Sequence, residues 1–546
     1  MSERLAAAPR DYDIVVVGGG INGAGVARDA ALRGFRVALV EQHDFGSGSS
    51  SRTSKLVHGG VRYLEHGELR LVWEASRERR RLLHLAPHLV QPLPFILPVY
   101  RDSRFGPARL RAGMLLYDLL AAFRNVHPHR ALAAARAADW GEGLRRDGLR
   151  GAARYWDAAM NDARLVLANV MGARAAGAAV FNRAALERLC IADGRVTGVQ
   201  VRDLETGTTA LWETRAVAVC AGAWTDGLLA AIPGTSPAVA PTRGTHIVVR
   251  PLVEQAFTLA AGRDGRVFFV LPWDDATLIG TTDVADSGAP EAVTPTEDEI
   301  AYLIEETNRY FPAAALQRHD VRAAFAGLRP LLRAGGAESN RSREHALLEP
   351  ARGVIAVAGG KYTTYRAVAE SVVDRLERAL GRRGACCTHR LPLPGGELAW
   401  PAPEQWNRGP RFAAAARALA ARAGVDPAIA QRWLAVYGSH AEQVVRLIEA
   451  DAALRTPLHA SQPELRAELV HAIRNEMALQ LEDWFLRRTR LAFAPGNGLA
   501  TLDAAAAVFA AESGWTPERR AAEIDACRRT LRRIAASAPG TVPAGD

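Results

Sequence analysis

Lysine is almost missing from this chain of 546 residues: only Lys55 and Lys361 occur, so 66 of the 68 basic residues are arginine. A compositional bias toward arginine accounts for the 66 but not for the two exceptions. An ammonium is compact and shifts its pKa readily, whereas guanidinium is broad and always charged. The two lysines therefore mark candidate sites where arginine will not serve. Cysteine is scarce as well. Cys190, Cys220, Cys386, Cys387 and Cys527 are too few and too scattered for a disulfide framework, and the adjacent pair is poorly spaced to chelate one zinc ion. A reducing, intracellular compartment and no metal site are expected. No apolar run approaches the roughly 18 to 20 residues that span a bilayer. The segment Met1 to Arg10 lacks the apolar centre of a secretory signal. A spanning or secreted protein is not expected.

What is present is a globular composition, 49% hydrophobic and 23% charged. At about 150 residues per domain the length suits three or four folding units. The net charge of +9 suits nucleic acid, anionic lipid or a phosphorylated substrate, and composition does not choose among them.

The chain opens with an apolar run, Asp13-Ile-Val-Val-Val17, followed by Gly18-Gly19-Gly20. Gly23 to Arg33 reads as a helix, Gly34 breaks it, and Arg36 to Val40 reads as a second strand ending at Glu41. In Gly18-x-Gly20-x-x-Gly23 the first glycine permits a tight turn, the second lets backbone approach a pyrophosphate, and the third allows close helix packing. The helix start offers amide donors to phosphate, and Glu41 is placed to accept from ribose hydroxyls. Three glycines alone mean little; with strand, helix, second strand and acid in place they indicate dinucleotide binding. Strand patterns resume near Val217 and Val354, with a long β-rich section between. That interrupted layout favours a tightly held flavin over a nicotinamide.

Two further clusters hold the two lysines. Ser49 to Leu64 is dense in small residues and donors, including Ser50, Ser51, Lys55 and His58. Gly359-Gly360-Lys361-Tyr362-Thr363-Thr364 follows an apolar strand, where a helix start would aim amides at a flavin carbonyl on which negative charge gathers. A third strand-to-turn junction lies at Gly222. Residues 68–85 and 107–124 read as helices, the latter amphipathic, with Leu110, Met114, Leu115, Leu119 and Phe123 beside Arg109, Arg111 and Arg124. Beyond a Pro/Gly linker at 391–396, residues 400–535 have helical periodicity.

Five stretches together resemble the FAD-dependent glycerol-3-phosphate dehydrogenases. They are Val16 to Gly25, Ser54 to His66, Asp162 to Val166, Ile279 to Asp283 and Gly359 to Arg366. Glu476-Met477-Ala478 and Arg487 to Arg490 resemble that family's cap domain. The departures are small: Tyr362 stands where leucine is expected, and Ala223 where proline is common. The resemblance implies oxidation of sn-glycerol 3-phosphate to dihydroxyacetone phosphate, with electrons passed from FAD to a membrane quinone. It also implies a peripheral protein on the cytoplasmic face of the inner membrane, often a homodimer.

Carried over by motif, Arg62, Tyr63, His246, Arg329 and Lys361 line the substrate site, and His246, Arg329 and Lys361 are the candidate catalytic groups. Arginine forks suit a phosphate dianion, and imidazole suits proton removal; Arg329 is a rival for that proton. The expected cofactor contacts are Gly18, Gly20, Asn22, Gly23, Glu41, Ser50, Ser51, Lys55, Gly222, Gly359, Gly360 and Thr363.

The expected architecture is α/β. A discontinuous Rossmann-type FAD-binding domain spans 11–75, 160–235 and 340–388. An antiparallel β-rich substrate domain spans 76–159 and 236–339, and an all-α domain spans 397–536. A glycerol-3-phosphate oxidase using O₂ shares these features. A non-catalytic basic flavoprotein binding nucleic acid is disfavoured, because the arginines are dispersed and form no aromatic-interleaved stripe.

Overall fold

The computed structural model describes residues 5, 7–64, 67–122, 124–140, 143–333, 345–398 and 409–536. Ile14–Val17 is buried at every position, as a parallel strand covered on both faces must be. It lies near the middle of a six-stranded sheet in the order His345–Ala351, Val354–Gly359, Val217–Val219, Ile14–Val17, Val37–Glu41, Ala179–Asn182. Every pair is parallel except the first, which is antiparallel at the edge. The strands come from three separate stretches of chain. Their carboxyl ends bring Gly18, Glu41, Gly222 and Gly359 to one rim, where open α/β sheets bind ligands. Helix Ile21–Leu32 packs between helices Asp162–Ala175 and Tyr365–Leu380 on the opposite side from a small sheet containing Arg195–Asp203 and Thr209–Thr214.

A ten-stranded sheet stands beside this unit. It includes Val90–Tyr100, Leu149–Met160, Val239–Val249, Ala256–Ala260, Val267–Trp273, Ala276–Gly280 and Val321–Leu332. Its pairs are antiparallel apart from Ala256–Phe257 against Phe95–Ile96. Leu56–Val57 joins this sheet by pairing with Ala158–Ala159, so the chain crosses to the second sheet well before residue 75. One helix went unnoticed in the sequence: Glu297–Tyr310, opened by a capping box in which Thr296 and Glu299 satisfy each other's backbone.

The C-terminal part is helical, with two apolar cores. One gathers Phe412, Trp433, Leu434 and Val444; the other gathers Trp484, Phe485, Leu502 and Phe509. A single wide π turn at Trp484–Arg488 leaves Arg487 and Arg488 buried together although they are consecutive.

Candidate active site

Gly18 has φ +100°, and a Cβ there would lie 2.6 Å from the Cys220 carbonyl; a Cβ on Gly23 would lie 1.9 Å from the Gly18 carbonyl. The turn and the helix therefore close on each other only with glycine at both positions. The Ile21 amide donates to Ser50 Oγ at 3.0 Å. Glu41 accepts from the amides of Gly19 at 2.7 Å and His43 at 2.8 Å, and burial pushes its carboxyl up from the usual range. A cavity of about 970 Å³, at the top of the size range for small-molecule sites, starts here. Gly18, Gly20, Asn22, Glu41, Ser50, Gly222, Gly359 and Gly360 all line it. Asn22 Oδ1 is buried and has no hydrogen-bond partner among the described residues. A Cβ on Gly222 would point into open space, meeting nothing within 4 Å. An orphaned acceptor and a glycine-walled trough fit an elongated dinucleotide.

The same cavity continues to Tyr63, His246, Arg329 and Lys361. His246 is 2% exposed, its Nε2 lies 2.9 Å from Ser54 Oγ, and Nδ1 has no partner among the described residues. Burial first, then the charges of Arg329 and Lys55, hold its pKa well below 6.5, so the imidazole is neutral at physiological pH. Arg329 comes from the neighbouring strand. Its guanidinium donates to Asp283 Oδ1 at 2.9 Å, Thr281 Oγ1 at 2.8 Å and the Thr282 carbonyl at 3.0 Å. Lys361 Nζ sits 3.3 Å from the centroid of the Tyr63 ring, a cation–π contact that joins two motifs almost 300 residues apart.

Comparison with known proteins agrees with this geometry. Residues 13–375 match the family model of FAD dependent oxidoreductases, and residues 386–520 match that of the C-terminal domain of alpha-glycerophosphate oxidase. A glycerol-3-phosphate dehydrogenase of Synechocystis sp. is 36% identical over 93% of this chain and 94% of its own length. The chain belongs to the FAD-dependent glycerol-3-phosphate dehydrogenase and oxidase family. Glycerol-3-phosphate dehydrogenase 2 of Mycobacterium tuberculosis is also 36% identical, over 94% of this chain and 86% of its own. The solved structure of the glycerol-3-phosphate dehydrogenase from Bacillus halodurans, complexed with FAD, superposes with a TM-score of 0.81 at 29% identity, covering 97% of this chain and 96% of that one. FAD is the cofactor, and the protein is a flavin oxidoreductase with a helical C-terminal domain.

Of the expected cofactor contacts, Gly23, Ser51, Lys55 and Thr363 do not line this cavity. Lys55 does not face the cavity. Its ammonium donates to both oxygens of Asp162, at 2.9 and 2.8 Å, and to the Ser51 carbonyl at 2.6 Å. It is a buried strut tying the Ser/Gly loop to helix Asp162–Ala175, in a space suited to a compact cation. Ser51 contributes that carbonyl and does not line the cavity. Thr363 is also behind the wall: its hydroxyl accepts from the His58 amide and donates to the His58 carbonyl. Gly23 acts by packing beneath Gly18. Arg62 lies on the short turn Val61–Leu64, and its side chain is outside the described residues, as are Glu65 and His66. The departure at Tyr362 has a clear role, since its hydroxyl donates to the Asp162 carbonyl at 2.5 Å.

The sequence reading missed Ser54, Thr281 and Asp283 as site residues, although all three stand inside motifs it singled out. Ser54 contacts His246, and Thr281 and Asp283 accept from Arg329. The cap motifs prove to be anchors. Asp44, fully buried, receives Arg487 Nε and both terminal nitrogens of Arg488. Arg164 and Glu476 form a buried two-pronged pair at 2.7 and 2.5 Å.

Proposed function

We propose that the protein oxidises sn-glycerol 3-phosphate at C2 to dihydroxyacetone phosphate and passes the electrons to a membrane quinone. The observation that carries this reading is one continuous cavity holding the glycine trough at one end and Tyr63, His246, Arg329 and Lys361 at the other. Bound FAD supplies the two-electron acceptor for the hydride leaving C2. Arg329, held in place by Asp283 and Thr281, lines the cavity where the phosphate dianion would bind, with Arg62 as the second fork. Ser54 Oγ engages Nε2 of His246; in the tautomer whose Nε2–H donates to Ser54, Nδ1 is the nitrogen that accepts the C2 hydroxyl proton as the carbonyl forms. Lys361, fixed over Tyr63, places positive charge beside the oxygen that loses its proton. The cofactor contacts at Gly18, Gly20, Asn22, Glu41, Ser50, Gly222, Gly359 and Gly360 belong to this reading, as do the domain division outlined above and a homodimer.

The match of residues 386–520 to an oxidase domain supports a second reading, with O₂ as acceptor. Mixing substrate-reduced protein with air or with a soluble quinone separates the two. Rapid reoxidation by quinone and slow reoxidation by air is the expected result; rapid peroxide formation in air reverses the assignment.

Helix Pro107–Leu120 supports the reading of a membrane-surface contact. Leu110, Met114 and Tyr117 pack into the core, while Leu115 and Leu119 are 56% and 58% exposed beside exposed Arg109, Arg111 and Arg124. The contacting helix Leu69–Leu85 adds exposed Leu69 and Trp73. The apolar face read from the sequence is thus divided between core and surface, and Phe123 lies outside the described residues. No helix among the described residues is long and apolar enough to cross a membrane. We read the exposed leucines and arginines as an interfacial contact with anionic lipid on the cytoplasmic side. Changing Leu115 and Leu119 to Glu is expected to abolish co-sedimentation with anionic liposomes; undiminished binding by the folded variant contradicts the assignment.

A further inference from the structure

His246 is confined on three sides. Ser54 Oγ holds Nε2 at 2.9 Å. Gly280 is its antiparallel partner on one side, and a Cβ there would come within 2.2 Å of the imidazole Cδ2. Phe325 is its partner on the other strand and stacks on the ring, with centroids 5.0 Å apart and planes 12° from parallel. Phe325 is in turn buttressed from outside the sheet. Phe493, carried by the C-terminal helical domain, meets its ring edge-on at 5.5 Å and touches Trp273 at the same centroid distance. Arg490 lies 5.2 Å over Trp273 and ion-pairs with Asp274. Phe493 packs against two cores at once, the one containing Phe325 and Trp273 and the one containing Trp484 and Leu491.

We infer that the C-terminal helical domain positions the His246 imidazole, through Phe493 pressing on Phe325. The inference rests on His246 being the proton acceptor, and it gives the domain a task in the reaction itself. Phe493 touches neither trough nor substrate end and is a positioning residue. It follows Arg488 by five residues, so the buried contacts of Arg487 and Arg488 with Asp44 fix where its ring can lie. Without that ring a void opens behind Phe325, and the stacked pair gains room to tilt. Proton transfer is sensitive to displacements of this kind, about 10²-fold for 1 Å, while phosphate binding at Arg329 does not depend on the stack.

The test uses full-length, FAD-loaded protein and anaerobic stopped-flow reduction by glycerol 3-phosphate. Phe493→Ala is expected to lower the limiting reduction rate by about tenfold or more, with the substrate dissociation constant changed less than about twofold. Phe493→Leu, which refills most of the void, is expected to recover most of the rate. A wild-type limiting rate in Phe493→Ala overturns the inference, as does a loss of rate and affinity together that Leu does not relieve. Should Phe493→Ala not retain FAD, Phe325→Leu is read instead, and a wild-type rate there also overturns it. The reading of His246 fails separately, if His246→Gln is reduced at the wild-type rate.

Discussion

His246→Gln is expected to keep FAD bound and to slow flavin reduction by glycerol 3-phosphate by about 10²- to 10⁴-fold, the usual worth of a positioned base. The imidazole is prepared for this role by its surroundings. Burial, Arg329 and Lys55 all disfavour its protonated form, so its lone pair is free across the neutral range. The same charges oppose the proton it must receive. A phosphate dianion arriving at Arg329 offsets that opposition, which couples proton acceptance to a substrate bearing phosphate. In the reduction rate at low substrate, which reports the free protein, the acid limb caused by His246 is expected well below 6.5, not at it. Anaerobic stopped flow measures the first effect at saturating substrate and the second well below saturation. A Gln variant reduced within about threefold of the wild-type rate would falsify the assignment of His246 as base.

Asp44→Ala is expected to be the most damaging change away from the cavity. Asp44 neutralises Arg487 and Arg488 where all three side chains are buried; its removal leaves Arg488 without a carboxylate and Arg487 with Asp483 alone. Breaking such a pair costs about 3–5 kcal/mol, read as a fall in denaturant midpoint and earlier loss of the C-terminal domain. The arginines hold the Asp44 carboxyl well below the usual carboxylate range, and Arg164 does the same for Glu476. Because both pKa values are depressed by folding, their stabilisation is complete above about pH 5 and is lost as pH falls below about 4. Acid should therefore loosen the helical domain in the wild type and have less effect in Asp44→Ala. A variant whose stability is lowered by under about 1 kcal/mol contradicts this account of the interface.

Legibility in the sequence followed the range of the interactions. The glycine trough is local: Gly18, Gly20 and Gly23 with Glu41 occupy one β-α-β unit, and their geometry is what that spacing requires. The helix Glu297–Tyr310 is equally local, announced by the capping box of Thr296 and Glu299. Lys55 shows the opposite case. The sequence marks it as a candidate position where arginine will not serve, but its partner Asp162 is 107 positions away, so its task is not legible there. Residues 107–124 showed an amphipathic pattern, yet periodicity cannot tell which apolar side chains meet the core; Tyr117 and Met114 went inside and Leu115 stayed out. The stack from His246 through Phe325 to Phe493 joins three distant segments and leaves no spacing signal at all.

The proposed function requires one cavity to hold both FAD and the groups that oxidise a phosphorylated alcohol. Anaerobic addition of glycerol 3-phosphate to the FAD-loaded protein, followed at the oxidised flavin band, tests it most directly. Bleaching by glycerol 3-phosphate is expected, and none by glycerol or lactate, which lack the phosphate proposed to bind at Arg329. A band that stays oxidised with glycerol 3-phosphate, or bleaches equally with glycerol, would contradict it.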